Sequence, residues 1–356
     1  MKTFVKIKYA LLIVAASTLA ACNNGENNVV PDSEKKIDHL IFEEICYTGS
    51  WHETWKQLYD HDQYIKITNP TEQVFYLDGM ALAQSGLSSN KLMNLKSGTD
   101  HRETHFGAAM LIRFPGKAGE QNYPVEPGKS VFIAKIAHDH SKFLNEETYW
   151  CDNSYDLSKV NFEWASENQI ATEDMYPDNK DVPNMKTVYP VEYDDDSTLP
   201  LQIIPTSGAI ALVQIPENIT DKMLIEEKEY SWSTIWTTNE KENEGGVGQQ
   251  GGGHSHNNEY DPVVFIKLPN AWIIDAVQIC PQKEFQWNVI STELDGGYCS
   301  VLTYANDKFK NAQSLAGKAL RRKHDGKKFV DTNNSSVDFE VKEASLAKNN
   351  KDNNKK

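Results

Sequence analysis

The sequence predicts an all-β fold, a β-sandwich elaborated by long loops, and three observations carry this. Apolar segments are short and rich in β-formers, Pro, Gly and Asn turns punctuate them, and no long amphipathic helical pattern appears. The 356 residues are 39% hydrophobic and 10% aromatic, enough for one large core and too apolar for a disordered chain. A formal charge of -15 argues against a phosphate-binding face, so nucleic acid is not an expected partner.

Residues 1–21 read as a lipoprotein signal peptide. Lys2, Lys6 and Lys8 precede an apolar run from Tyr9 to Ala16, then Leu19-Ala20-Ala21-Cys22. The run is too short for a spanning helix, which needs about 20 residues. Leu-Ala-Ala-Cys resembles a bacterial lipobox, in which the Cys22 thiol is lipidated and becomes the mature N-terminus. Two acyl chains anchor durably where one is marginal. Residues 22–37 open with Asn23-Asn24-Gly25-Glu26-Asn27-Asn28 and read as a flexible tether. No aspartate follows Cys22 directly, which by resemblance to bacterial sorting rules points to the outer membrane. Glu26 is the one acid in a stretch that is often acidic in surface-exposed Bacteroidota lipoproteins, so the extracellular face is expected.

The body spans 38–341. Strand segments are expected at His39–Tyr47, Gln63–Thr68, Val74–Leu77, Ala108–Phe114, Ser130–Ala134, Ala209–Ile215, Val263–Leu268, Trp272–Cys280 and Val337–Val341. Turns such as Asn69-Pro70, Pro115-Gly116 and Pro127-Gly128 separate them. Polar interruptions at about 136–206 and 238–261 read as insertions, and such lengths are usually functional or partly disordered. Residues 342–356, rich in Lys and Asn, read as a disordered tail. With the basic signal and tail set aside, the body is strongly acidic.

Asp62 to Pro70, followed by Val74 to Leu82, resembles the opening of a lamin-tail domain: a strand ending in Asn-Pro, a turn, then Leu-x-Gly. Val125 to Ala134, Thr206 to Leu212, Trp272 to Val277, and Gln313-Ser314-Leu315 with Arg321-Arg322 resemble its later steps in order. Two departures are Lys66, where the family usually has an acid, and Met80, where it has an aromatic. The resemblance implies an immunoglobulin-like sandwich, a fold that usually binds. Asp156 to Trp164 and Asp331 to Ser335 also resemble a family of Bacteroidota gut-bacterial lipoproteins of uncharacterised function.

Four cysteines follow the anchor. Cys280 and Cys299 enclose Asp295-Gly296-Gly297, and a bridge between them would contribute about 3 kcal/mol. Cys46–Cys151 is then the implied second pair. The alternative is that all four are small buried hydrophobes.

No nucleophile elbow, phosphate loop or dinucleotide fingerprint is present, and the glycine run 245–253 reads as a flexible loop. His101, Glu103 and His105 share a face only on an extended strand, where they would form a two-His, one-carboxylate metal set. Otherwise they are a solvated loop. His138 with His140, and His254 with His256, also place two histidines at strand spacing and are further metal candidates, the latter pair within the glycine loop. Asp194-Asp195-Asp196 offers oxygens for calcium without the spacing of a known loop, and Asp196-Ser197-Thr198 resembles a Bacteroidota O-glycosylation motif at Ser197. Trp51, Trp55 and Tyr59 would line one helical face, and Tyr230, Trp232 and Trp236 one strand face. Such rows suit a sugar ring or a partner protein, or simply pack in a core.

The expected function is non-enzymatic: an outer-membrane lipoprotein that serves as binding or accessory subunit of an integral β-barrel, with a TonB-dependent transporter as the candidate barrel. The alternative is a stand-alone ligand-capture lipoprotein for a glycan, peptide or metal. No cofactor is expected.

Overall fold

Alternation along each strand decides which of three hydrophobic clusters it feeds. The computed structural model describes residues 36–95, 98–142, 150–164, 178–189, 203–234, 236–237, 263–326 and 328–347. The first strands are β1 (Ile41–Cys46), β2 (Ser50–His52), β3 (Gln57–Tyr59), β4 (Tyr64–Thr68), β5 (Phe75–Tyr76), β6 (Ala81–Ser85) and β7 (Asn94–Leu95). Next come β8 (His105–Arg113), β9 (Pro124–Val125), β10 (Ser130–Ala134), β11 (Phe162–Glu163), β12 (Lys186–Tyr189) and β13 (Gly208–Val213). The last are β14 (Ser231–Thr234), β15 (Trp236–Thr237), β16 (Val263–Pro269), β17 (Ile273–Ile279), β18 (Lys318–Arg322) and β19 (Phe339–Glu343). The helices are one or two turns long: α1 (Asp221–Glu226), α2 (Asp307–Lys310), α3 (Ala312–Leu315) and α4 (Ser335–Asp338).

Two sheets make the body. A six-stranded sheet runs β11-β10-β4-β1-β18-β19, and a seven-stranded sheet runs β14-β16-β8-β6-β13-β17 with β12 also on β8. Ile45, Ile65, Ile67, Ile133 and Leu320 of the first sheet meet Leu82, Ile112, Ile210, Leu212 and Val277 of the second in one buried core. This is the sandwich interior. The fold is all-β, as the segment pattern predicts.

The outer faces are also covered. The alternate residues of the seven-stranded sheet are small, Ala81, Ala83, Ala209 and Ala211, which lets Leu224, Tyr230, Trp232, Val289 and Ile290 pack close above them. On the other sheet, Cys46, Tyr64, Ala134 and Ala319 lie under Tyr155, Leu157 and Ala344. A plain sandwich would show half-polar strands; β13 is buried along its whole length because both of its faces are covered.

Several expectations need correction. The described part of the 136–206 stretch is no solvent-exposed insertion, since it contributes β11, β12 and the fully buried Trp164. The tail begins later than Lys342: β19 runs to Glu343, Ala344 is fully buried, and Leu346 and Ala347 pack beside it. β6 and β18 are strands the reading missed. Ala-Leu-Ala-Gln-Ser and Lys-Ala-Leu-Arg-Arg carry too few β-formers to announce themselves. The 238–261 stretch and residues 348–356 lie outside the described residues.

Candidate functional site

The chain leaves β1 at Tyr47 and turns through Gly49 into the β2–β3 hairpin. Gly49 has φ +69°, and a Cβ there would stand 1.8 Å from the Tyr59 carbonyl oxygen. Only glycine fits that approach. β2 pairs with β3 in the register Ser50↔Tyr59, Trp51↔Leu58, His52↔Gln57. His52 stacks on Trp55 at 3.8 Å between ring centroids, and its Nδ1 accepts from the Trp55 backbone N–H at 3.1 Å.

The hairpin is tied down from below. Asp62, fully buried, accepts from Ser50 Oγ at 2.5 Å and from Ser154 Oγ at 2.6 Å. Burial pushes its carboxyl up to about 6. Tyr59 Oη lies 2.8 Å from His140 Nδ1, and His140 Nε2 lies 3.0 Å from the Ile136 carbonyl. The carbonyl fixes the proton on Nε2, so Nδ1 accepts from the tyrosine. Burial brings His140 down to about 3 and neighbouring His61 to about 4. Asp60 sits 3.5 Å from Lys135; burial would raise its carboxyl, but the lysine holds it below the usual range.

Clefts flank this hairpin. One of about 540 Å³ is lined by Tyr47, Gln57, Asp60, Gln63, Gln84, Ile204 and Phe309 among others. Gln84 lies on β6, Gln57 and Leu58 on β3, and Tyr47 and Gln63 just outside β1 and β4, so the cleft sits among the connections next to the hairpin. A second, of about 340 Å³, lies along Trp55, Leu58, Tyr59 and His61. A third, of about 200 Å³, lies between Trp51, His52, Trp55, Trp150 and Cys151.

A second polar centre sits at the start of β1. Arg322 is buried among three carboxylates: Asp275 at 2.7 Å, Asp331 at 2.9 Å and Asp338 at 3.6 Å. Its Nε donates to the Phe42 carbonyl at 2.8 Å, and the Phe42 N–H donates to Asp275 Oδ2 at 2.7 Å. His39 Nε2 closes the network 3.2 Å from Asp331. Burial would lower the His39 imidazole, but Asp331 and Asp38 outweigh it and raise its pKa.

The predicted site residues disperse. Trp51, Trp55 and Tyr59 lie on a hairpin, not a helical face: Trp55 is exposed, Tyr59 is buried, and Trp51 pairs one position from Tyr59's partner, so it faces the other way. Tyr230 and Trp232 are core residues; Trp232 packs edge-on to Phe265 at 6.0 Å, and a Cβ at Gly107 would stand 2.7 Å from its ring. Trp236 belongs to a separate two-stranded pairing with β7. His101 and His105 lie 6.1 Å apart on a turn closed by the His105 N–H donating to the His101 carbonyl at 2.8 Å, which is not the extended geometry the metal set requires. His138 and His140 meet edge to face at 5.8 Å. Among the described residues no group of three His, Cys, Asp or Glu, Glu103 included, is placed to hold a metal ion. Cys22, Asp194 to Asp196, Ser197, His254 and His256 lie outside the described residues.

Neither disulfide forms: Cys46, Cys151, Cys280 and Cys299 are free thiols. Each occupies its own niche. The Cys46 thiol lies 3.9 Å from the Lys318 carbonyl, Cys151 3.1 Å from that of Trp51, and Cys299 3.8 Å from that of Gln278. The backbones of Cys280 and Cys299 do pair, N–H to carbonyl at 3.1 Å, but the strand register places Ile279, not Cys280, opposite Cys299. Burial pushes the Cys151 thiol up to about 11.

Sequence reasoning missed Gln63, Gln84 and Phe309. Gln63 lay inside a predicted strand segment, and Phe309 in a polar stretch without periodicity. No local signal marks a glutamine as cleft wall.

Among solved structures, the chain resembles the crystal structure of a DUF4876 family protein from Bacteroides thetaiotaomicron VPI-5482. The TM-score is 0.62 at 21% identity, over 86% of this chain and 71% of that one. That likeness concerns the fold. No curated protein matches the chain. The family model described as "Protein of unknown function (DUF4876)" matches residues 126–345, more than half of the sequence, and the chain belongs to that family.

Proposed function

We propose that this chain is a non-enzymatic binding module, lipid-anchored through Cys22 on the outward side of the outer membrane, that serves an integral β-barrel of the TonB-dependent transporter class. The observation that carries it is the group of clefts around the β2–β3 hairpin, on a sandwich whose outer faces both carry packed hydrophobic clusters. Asp60 and His61 line these clefts, with Asp60 paired to Lys135, and behind the hairpin Asp62 and His140 spend their hydrogen bonds on Ser50, Ser154, Tyr59 and Ile136. Such groups hold a scaffold and are not poised for proton transfer. The lipobox and polar tether supply the anchor and reach. We read the body as lamin-tail-like; Asp275 and Arg322, from two of the segments resembling that family, meet in an ion pair.

Affinity purification of the tagged protein from solubilised outer membranes tests this reading. Co-purification of a barrel protein is the expected result, and recovery of the lipoprotein alone overturns it. Protease accessibility on intact cells checks the outward face. The volume of the cleft lined by Gln63 and Phe309 favours a second reading, a stand-alone ligand-capture lipoprotein. Ligand-dependent protection from proteolysis without any barrel partner would select it.

A further inference from the structure

The cleft beside the β2–β3 hairpin is lined by a residue with a buried acceptor that no described residue fills. Gln63 is 5% exposed and lines the cleft. Its Nε2 donates to the Tyr47 carbonyl at 2.7 Å, which fixes the orientation of the amide. Its Oε1 is buried and has no hydrogen-bond partner among the described residues. Buried acceptors are normally satisfied; this one is closed to a water molecule, so a ligand donor reaches it when the cleft wall shifts to admit it.

We propose that this cleft binds a neutral saccharide ring, with Gln63 as hydrogen-bond acceptor and Phe309 as the stacking face. The ligand class deepens the binding-module reading and rests on it. Gln57 and Gln84 add two more carboxamides, each both donor and acceptor. A hydroxyl group has the same dual character, so a polyol satisfies such a wall better than a ligand with acceptors alone. The two charged residues of the lining, Asp60 and Lys308, are opposite in sign, which favours an uncharged occupant. Phe309 is 75% exposed on α2, beside these polar groups. A sugar ring presents an apolar C–H face to such a side chain and hydroxyls at its edge.

The platform is held in place. Asp307 accepts from the Tyr304 N–H at 2.8 Å and from Asn311 Nδ2 at 2.9 Å, fixing the turn that carries Phe309. Lys308 Nζ lies 5.0 Å from the Phe309 ring centroid. The cleft volume of about 540 Å³ falls within the range of small-ligand sites.

The test uses the full-length protein in a sugar-free detergent on an array of neutral oligosaccharides, sialylated and sulfated oligosaccharides, and peptides. The best neutral saccharide is then titrated calorimetrically into wild type, Phe309→Ala, Gln63→Leu and the distant control Leu92→Ala. Retention of neutral saccharides is expected, with Kd rising about tenfold or more in Phe309→Ala and Gln63→Leu and unchanged in Leu92→Ala. Three outcomes overturn the proposal: no neutral saccharide retained, acidic saccharides or peptides bound in preference, or Phe309→Ala binding as wild type does. Phe309 is exposed, so that variant decides even if Gln63→Leu fails to fold. Barrel co-purification is a separate readout, so a protein that binds a barrel and no saccharide would refute this inference alone.

Discussion

Two polar regions lie near the two ends of β1, and they treat burial in opposite ways. At its start, Arg322 gathers Asp275, Asp331 and Asp338, and backbone groups of Phe42, Val330 and Thr332 fill further hydrogen bonds. Just past its end, Gln63 leaves an acceptor open beside a cleft. The first region resembles a structural staple that joins β1, β17 and β18 across the two sheets. The second has room and unspent bonding capacity. Buried polarity by itself is therefore a poor guide to function in this molecule; whether the bonds are already used discriminates better.

The largest effect is expected at the staple. Arg322→Met leaves three buried carboxylates without their cation, and breaking such a pairing costs about 3–5 kcal/mol. Urea unfolding should show that loss, or no folded protein at all; a midpoint near wild type would end the distinction between the two regions. Gly49→Ala comes next, at the other end. A Cβ within 1.8 Å of a carbonyl oxygen at φ +69° forces the hairpin to shift, at a cost of about 1–3 kcal/mol. Thermal unfolding measures the loss, and it should reshape the hairpin clefts while leaving the staple intact.

The histidines sharpen the comparison through pH. His39, at the staple, has a raised pKa, so its stabilisation is fully present below its unfolded value, about 6.5, and is lost as pH rises through the higher folded value. His61 and His140, beside the clefts, have lowered values. Their contribution is present above about 6.5 and is lost as pH falls through about 4 and about 3. Asp62 adds the opposite sign at the same end: raised to about 6, it favours the folded state in acid and loses that contribution as pH rises through that value. NMR titration of the imidazoles should separate His39, still protonated above the ordinary value, from His61 and His140, still neutral near pH 5. A common midpoint for the three would erase the contrast. His39→Gln should cost stability at about pH 5.5 and little at about pH 8.

The smallest effect on stability is expected at Phe309. Its exposed ring contributes little to packing, so Phe309→Ala should change unfolding free energy by no more than about 0.5 kcal/mol. A clear loss of stability would reassign Phe309 from the cleft to the core.

Much of the architecture was legible in local pattern. Gln63–Thr68 alternates, and β4 places Ile65 and Ile67 in the core with Tyr64 on the opposite face. β1, β8, β10, β13, β16 and β17 were likewise announced by β-rich apolar runs between turns. β18 was not, because Lys318, Arg321 and Arg322 hide a central strand under charges that suggest a surface. The aromatic rows failed for a related reason. Spacing states which residues would share a face on a helix or a strand, but not which element forms; Trp51, Trp55 and Tyr59 sit on a hairpin instead.

The sequence by itself determined the all-β class and the turn positions, since these depend on contacts or chemistry within a few residues. Tertiary structure alone decided the rest. It placed Arg322 beside Asp275, left the four cysteines as free thiols, covered both outer faces and set Gln63 beside a cleft with its side-chain carbonyl unspent among the described residues. Each of these depends on which segments meet across the sandwich, and such meetings are set by the packing of the whole chain.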